Sequence, residues 1–197
     1  MRVIIILVAP ARAENVGAAA RAMKTMGFSE LRVVDSEAHR QPAARYVAHG
    51  STEIIDNAQN HPDLASALHD VDFTVATTAR SRARYHYYTT PVQLLALLEE
   101  RRSWTPTVAL VFGREDSGLT NEELALADVL TGVPMVADYP SLNLGQAVMV
   151  YCAQLSSLMS VEAAIETPAP TGQLAALRTR IEALLEKLDG ADDKKMA

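Results

Sequence analysis

The feature that most limits what this chain can fold into is its rhythm. Short runs rich in valine and isoleucine alternate with alanine- and leucine-rich stretches of helical length. The expected strands are residues 3–8, 31–34, 73–77, 108–112 and 129–133. Several are apolar at successive positions rather than alternate ones, so both of their faces must be covered. Strands of that kind, separated by helices, build a parallel sheet with helices on its two sides, an α/β fold. Hydrophobic residues make up 49 % of the 197, enough for one sizeable core.

The helices carry their own punctuation. Residues 15–26 end at Gly27, a natural left-handed stop. Residues 62–69 form a short helix. Residues 91–102 open on Thr90 as N-cap with Pro91 at the first helical position. Residues 120–127 begin with Thr120 and Glu123 at capping-box spacing. Residues 143–159 form a long apolar helix capped by Asn143. The stretch 42–60 reads as a short helix and a weak strand. These elements make a body over residues 1–160. A Pro/Thr-containing linker over 161–172 follows, then a tail, 173–197, with Leu174, Leu177, Ile181, Leu184, Leu185 and Leu188 at helical spacing.

Composition closes off several functions. A single cysteine, Cys152, permits no intrachain disulfide and no cysteine zinc cluster. It sits on an apolar helix face and reads as a buried thiol. The five histidines lack metal-ligand spacing and most read as surface residues, so no metal is expected. Trp104 reads as packing. No run approaches the roughly 18 apolar residues that cross a bilayer. The apolar start is short and runs into Ala9-Pro10, as a buried strand does. A cytoplasmic location is expected. There is no Walker A loop and no G-x-G-x-x-G after the first strand, which argues against a P-loop or standard dinucleotide site. The net charge of −6 argues against a general basic nucleic-acid binder. Yet Arg80, Arg82 and Arg84 fall in one short loop, followed by Tyr85, His86, Tyr87 and Tyr88.

In parallel sheets, ligands sit at the carboxyl ends of strands. Five segments fall there. After the first strand come Asn15 and Arg21, which either face one cleft or are a helix cap and a solvated arginine. After the third come Thr77, Thr78, Ala79 and the Arg/Tyr loop. Its arginines can pair with phosphates and its rings can stack on bases; the alternative is a solvated loop with aromatics at a subunit interface. After the fourth come Gly113-Arg114-Glu115-Asp116-Ser117-Gly118. There Gly113 lets a ligand approach the backbone, and Glu115 can accept hydrogen bonds from a cationic partner, unless the segment is a plain turn into a helix. Glu122 and Glu123 read as first-turn acids that complement the helix dipole. Gly132-Val133-Pro134-Met135 ends the fifth strand. Ser141-Leu142-Asn143-Leu144 leads into the last helix, as a ligand loop or an ordinary cap.

Together these segments resemble the SpoU/TrmH family of SPOUT RNA methyltransferases. Asn15, Gly17 and Arg21 are similar to its first motif, Phe112-Gly113-Arg114-Glu115 with Gly118-Leu119 to its second, and Ser141-Leu142-Asn143-Leu144 to its third. Within the family, Arg21-Ala22-Met23-Lys24-Thr25-Met26-Gly27 and Thr78-Ala79-Arg80-Ser81-Arg82 resemble the TrmJ-type branch.

The resemblance implies a parallel sheet whose C-terminal chain is threaded into a deep trefoil knot, and a homodimer in which part of each site comes from the partner. It implies S-adenosylmethionine as cofactor, held by Thr77, Thr78, Ala79, Gly113, Val133, Ser141, Leu142 and Asn143. The implied reaction is 2′-O-ribose methylation of RNA, tRNA or else rRNA. Arg21, Asn15, Glu115, Ser141 and Asn143 would be catalytic, and Arg80, Arg82 and Arg84 would hold RNA. The family assigns Arg21 as the base; a guanidinium stays protonated, so it is better suited to clamp a phosphate and polarise the hydroxyl. The alternative function is a catalytically silent module that keeps the cofactor pocket and binds RNA. A small-molecule methyltransferase has no motif support.

Overall fold

The structure, a computed structural model, describes residues 1–79, 88–136, 141–159 and 179–181. In chain order the elements are β1 (Arg2–Val8), α1 (Ala13–Thr25), β2 (Glu30–Val34), a 3-10 turn (Ala38–Arg40), α2 (Pro42–Ala48), α3 (Thr52–Asp56), β3 (Gln59–His61), α4 (Leu64–Ala67) and β4 (Phe73–Thr77). There follow β5 (Tyr88–Thr89), α5 (Pro91–Arg101), β6 (Thr107–Phe112), α6 (Asn121–Leu124), β7 (Val129–Thr131), α7 (Leu144–Leu155) and a second 3-10 turn (Ser156–Leu158).

The strands form one seven-stranded sheet in the order β3-β2-β1-β6-β4-β7-β5. Every pairing is parallel. The apolar runs explain the layers. Along β1, Val3, Ile5 and Leu7 point into one core with α1, α2, α3, α5 and α7. Ile4, Ile6 and Val8 point into a second core with α4 and α6. Alternate side chains of a strand face opposite ways, so a strand buried on both faces must be apolar throughout.

Local rules set the helix ends. Gly27 takes φ +85°, and the Phe28 N–H returns to the Met23 carbonyl at 2.9 Å, which closes α1 in the manner of a Schellman turn. Thr90 with Gln93, Thr120 with Glu123 and Asn143 with Gln146 each form a reciprocal capping box. Small residues let α1 approach its neighbours closely. A Cβ on Gly17 would lie 2.3 Å from the Ala44 carbonyl of α2, and one on Gly145 of α7 would lie 2.7 Å from the Ala18 Cβ.

Some expectations need correction. Asn15 does not open α1; Arg12 is the N-cap. Residues 42–61 hold two short helices ahead of the expected weak strand, β3, rather than one. The edge strand β5 is too short to show a pattern. His39 is buried at 4 % exposure, and Trp104 is 62 % exposed and therefore not a packing residue. Cys152 is buried as expected, and burial pushes its thiol up to about 12. The chain divides into two compact units, Met1–Val161 and Glu162–Ala197. In the second, residues 179–181 are helical; the rest of the expected linker and tail helix lies outside the described residues. No helix of the described residues is long and apolar enough to cross a membrane.

Candidate active site

Because all strands run one way, their carboxyl ends share one edge of the sheet. β1, β6, β4 and β7 are neighbours there, so the loops after Val8, Phe112, Thr77 and Thr131 are brought together although they lie far apart in sequence. Two adjoining hollows result.

The first is a cavity of about 240 Å³. Thr77, Thr78 and Ala79 line it after β4, Gly113 to Leu119 after β6, Val133 and Met135 after β7, and Ser141, Leu142, Leu144, Ala147 and Tyr151 before and along α7. At its back Phe112 and Tyr151 meet edge to face, with ring centroids 5.7 Å apart, and the Tyr151 hydroxyl donates to Thr131 Oγ1 at 3.2 Å. The second is an open groove of about 570 Å³ lined by Ala11, Arg12, Asn15, Asn143 and Gln146. Glu115, Asp116, Ser141 and Leu142 line both hollows and form the wall between them.

The turn after β6 is braced twice. Arg114 and Gly118 exchange backbone hydrogen bonds of 3.2 and 3.0 Å, so Glu115, Asp116 and Ser117 form its tip. Gly118 closes the turn at φ +72°. The Arg114 guanidinium then grips the Glu123 carboxylate through contacts of 2.9 to 3.1 Å. That ion pair raises the guanidinium pKa further above its ordinary value. Glu123 also accepts from the Thr120 N–H at 2.7 Å, so it is more than a first-turn acid. Gly113 has a steric reason besides the expected one. A Cβ there would stand 2.3 Å from Gly118 C and 2.4 Å from Leu119 N. The missing side chain makes room for the returning turn, and the Gly113 backbone also lines the cavity.

One hydrogen-bond network joins three of the segments. Glu115 accepts from the Ala11 N–H at 3.0 Å, the Arg12 N–H at 3.3 Å and Asn15 Nδ2 at 2.8 Å. Asn15 Oδ1 in turn accepts from Asn143 Nδ2 at 2.9 Å, and Asn143 Oδ1 accepts from the Gly145 N–H at 2.9 Å. The direction of donation fixes both amide orientations. Burial pushes the Glu115 carboxyl up, but the donors of Ala11, Asn15 and Arg12 outweigh it and hold the group below the usual carboxylate range. Its partners among the described residues are amide N–H groups.

Of the residues expected to hold a cofactor, Thr77, Thr78, Ala79, Gly113, Val133, Ser141 and Leu142 line the cavity, while Asn143 stands in the groove. Arg21 lies in neither. Six residues after Asn15 along α1, it is about 9 Å further on and about 120° round the axis. It is exposed, and its guanidinium has no hydrogen bond or ion pair among the described residues. Arg80, Arg82 and Arg84 lie outside the described residues. Sequence reasoning passed over Arg12, Gln146 and the Arg114–Glu123 brace. The capping-box spacing was a signal for Gln146, and a cation directly ahead of the first motif was one for Arg12.

An all-parallel sheet with a partly apolar cavity and an adjoining groove at its carboxyl edge is the usual setting of a ligand site in an α/β protein. Comparison with known proteins gives the family. The SpoU rRNA Methylase family matches residues 2–153, and the chain belongs to it. It is 71 % identical over 196 residues to LasT of Escherichia coli K12, described as an uncharacterized tRNA/rRNA methyltransferase, covering 100 % of this chain and 86 % of that one. It is 36 % identical over 146 residues to the tRNA (cytidine-2′-O-)-methyltransferase TrmJ of Methanocaldococcus jannaschii, covering 74 % of this chain and 64 % of the relative. Among solved structures, TrmJ from Z. mobilis ZM4 superposes with a TM-score of 0.73 at 33 % identity, covering 96 % of this chain and 82 % of that one.

Proposed function

We propose that this chain is an S-adenosylmethionine-dependent RNA 2′-O-ribose methyltransferase that acts on tRNA as a homodimer. The observation that supports it most is the Glu115–Asn15–Asn143 network, which ties the three motif segments to the wall between cavity and groove. The TrmJ relative's activity on tRNA ribose adds to it.

The cavity suits the cofactor's chemistry. Leu119, Leu124, Val133, Leu142 and Tyr151 offer apolar walls for an adenine, and the strand-end backbone of residues 77–79 offers polar edges for its rim. The carboxylates of Glu115 and Asp116 stand where a cationic centre would gain from negative charge. S-adenosylmethionine, when bound, supplies a methyl group on a sulfonium, and so needs no metal to activate its leaving group. The protein's remaining tasks are alignment and handling of the hydroxyl proton. Holding two reactants in register is worth on the order of 7–11 kcal/mol.

The groove would seat the target nucleotide. Ser141 and Asn143 position its ribose, and Asn15 and Glu115 hold Asn143 in one orientation. Arg21 stands clear of its own chain's groove, as suits a residue delivered to the partner's site. There it clamps a phosphate and polarises the 2′-OH. Arg80, Arg82 and Arg84 hold flanking phosphates. The chain after Gly113 and Val133 forms the threaded knot of the family. Two measurements test this reading: titration calorimetry with S-adenosylmethionine, and ribose-methylation mapping of total RNA from cells with and without the gene. Binding together with loss of a 2′-O-methyl mark supports it. Binding with no mark lost and no transfer in vitro would make the chain a silent RNA-binding module.

A further inference from the structure

The groove presents a problem of charge. Two of its lining residues, Glu115 and Asp116, are carboxylates, yet an RNA entering it carries a phosphate at every nucleotide. Glu115 is offset by its three N–H donors. Asp116 accepts from the Ser117 hydroxyl at 2.8 Å but keeps its charge. Among the described residues, two arginines line the hollows, Arg114 and Arg12. Arg114 is spent on Glu123. Arg12 is exposed, and its guanidinium has no hydrogen bond or ion pair among the described residues.

The main chain of Arg12, by contrast, is fixed. Its N–H donates to Glu115 Oε1 at 3.3 Å, and its carbonyl accepts from the Asn15 N–H at 3.1 Å and the Val16 N–H at 3.4 Å. A free cation is thereby anchored through its backbone to the network that holds Asn15 and Asn143. Such an arrangement sets the distance between a charge and the reacting position without using the charge itself.

We propose that Arg12 is a phosphate-contacting residue of the groove, pairing with a backbone phosphate of the RNA nucleotide seated beside Asn15 and Asn143. The proposal rests on the RNA methyltransferase reading above. A planar guanidinium suits this task because it grips phosphate oxygens through two parallel N–H bonds. The competing anion is the cofactor's carboxylate. The cofactor's expected cavity is lined without Arg12, so the RNA phosphate is the better match.

The test compares wild type with Arg12→Ala, Arg12→Gln and Arg12→Lys. Bulk tRNA from cells lacking the gene is titrated by fluorescence anisotropy at rising KCl, S-adenosylmethionine is titrated by calorimetry, and methyl transfer is measured under steady state. The two neutral variants should bind tRNA about tenfold more weakly at low salt, with the slope of log K against log salt reduced by about 0.7–0.9. KM for tRNA should rise while cofactor affinity stays within about twofold and melting is unchanged, since the structural bonds of residue 12 are made by its backbone. Arg12→Lys should keep the wild-type slope, because it keeps the charge. An unchanged slope in the neutral variants, with wild type methylating RNA normally, would overturn the proposal and leave the function standing. Equal loss of cofactor affinity would move Arg12 to the cofactor's carboxylate and overturn it too. Wild type that binds the cofactor and methylates no RNA would instead remove the reading beneath it.

Discussion

Replacing Asn15 by aspartate changes one N–H donor into an oxygen and leaves the side chain's shape alone. In wild type, Asn15 Nδ2 donates to Glu115 Oε1 at 2.8 Å. Asn15→Asp sets two carboxylates at that distance. The lost bond to a charged acceptor is worth about 1.5–3 kcal/mol. Repulsion of two charges about 4 Å apart adds at most about 4 kcal/mol at a near-surface dielectric. Uptake of one shared proton limits the total, because it rebuilds a hydrogen bond between the two groups. About 3 kcal/mol of destabilisation at pH 8, falling to about 1 kcal/mol at pH 5, follows. The sign is set by proton binding. The folded pair takes up a proton with a raised pKa, so the folded variant holds more protons than the unfolded chain, and its stability falls as pH rises through that raised value. Thermal melting of both proteins from pH 5 to pH 8 measures it. The variant should melt about 6–12 °C lower at pH 8 and close most of that gap at pH 5. A gap that is absent, or constant across this range, would refute contact between Asn15 and Glu115 and with it the network's orientation.

Other outcomes follow from the same structure. Arg114→Ala, by releasing Glu123 and the turn that walls the cavity, should destabilise by about 1–3 kcal/mol and weaken S-adenosylmethionine binding in calorimetry, with partial recovery in the charge-swapped pair Arg114→Glu/Glu123→Arg. Gly113→Ala should cost about 2 kcal/mol and impair cofactor binding, because its Cβ meets the backbone of Gly118 and Leu119. Gly50→Ala, with nothing within 4 Å but φ +76°, should cost about 1 kcal/mol and spare binding. Asp70 holds the buried Arg32 guanidinium through contacts of 2.6 and 2.9 Å, and those hydrogen bonds keep its carboxyl well below the usual range. Asp70→Asn should therefore lose about 3 kcal/mol at pH 7 in urea melts. The gap should persist down to about pH 4 and shrink below it, as the carboxylate of the unfolded wild-type chain takes up a proton that the folded one resists. Arg21→Ala should abolish transfer with cofactor affinity held within a few-fold. Mixed with Asn143→Ala it should regain about a quarter of wild-type activity, if a two-fold dimer pairs one chain's arginine with the other's groove.

What the sequence made legible was local. β1 and β6 announce themselves by apolar runs, β2 and β4 by apolar residues on either side of Arg32 and Thr74, and the caps at Thr90, Thr120 and Asn143 by residue type and spacing. β5 has two residues and pairs only because β7 lies beside it; no window of sequence contains that fact. The site residues were recognisable as motifs, but their chemistry was not. Asn15 and Asn143 are 128 residues apart, and which amide donates depends on Glu115 and on the Gly145 N–H at either end. Gly113 carried a true constraint for a further reason, since the space it leaves is filled by the returning backbone. Arg21 shows the converse. Six helical residues turn a side chain well away from the first, and Arg21 lines neither hollow of its own chain.

The most direct trial is to incubate the purified chain with methyl-labelled S-adenosylmethionine and bulk tRNA from cells lacking the gene, digest the RNA to nucleosides, and read by mass spectrometry which atom carries the label. Label on ribose O2′, abolished by Asn143→Ala, is the expected result. Label on a base atom, or none in any RNA despite measurable cofactor binding, would contradict the account.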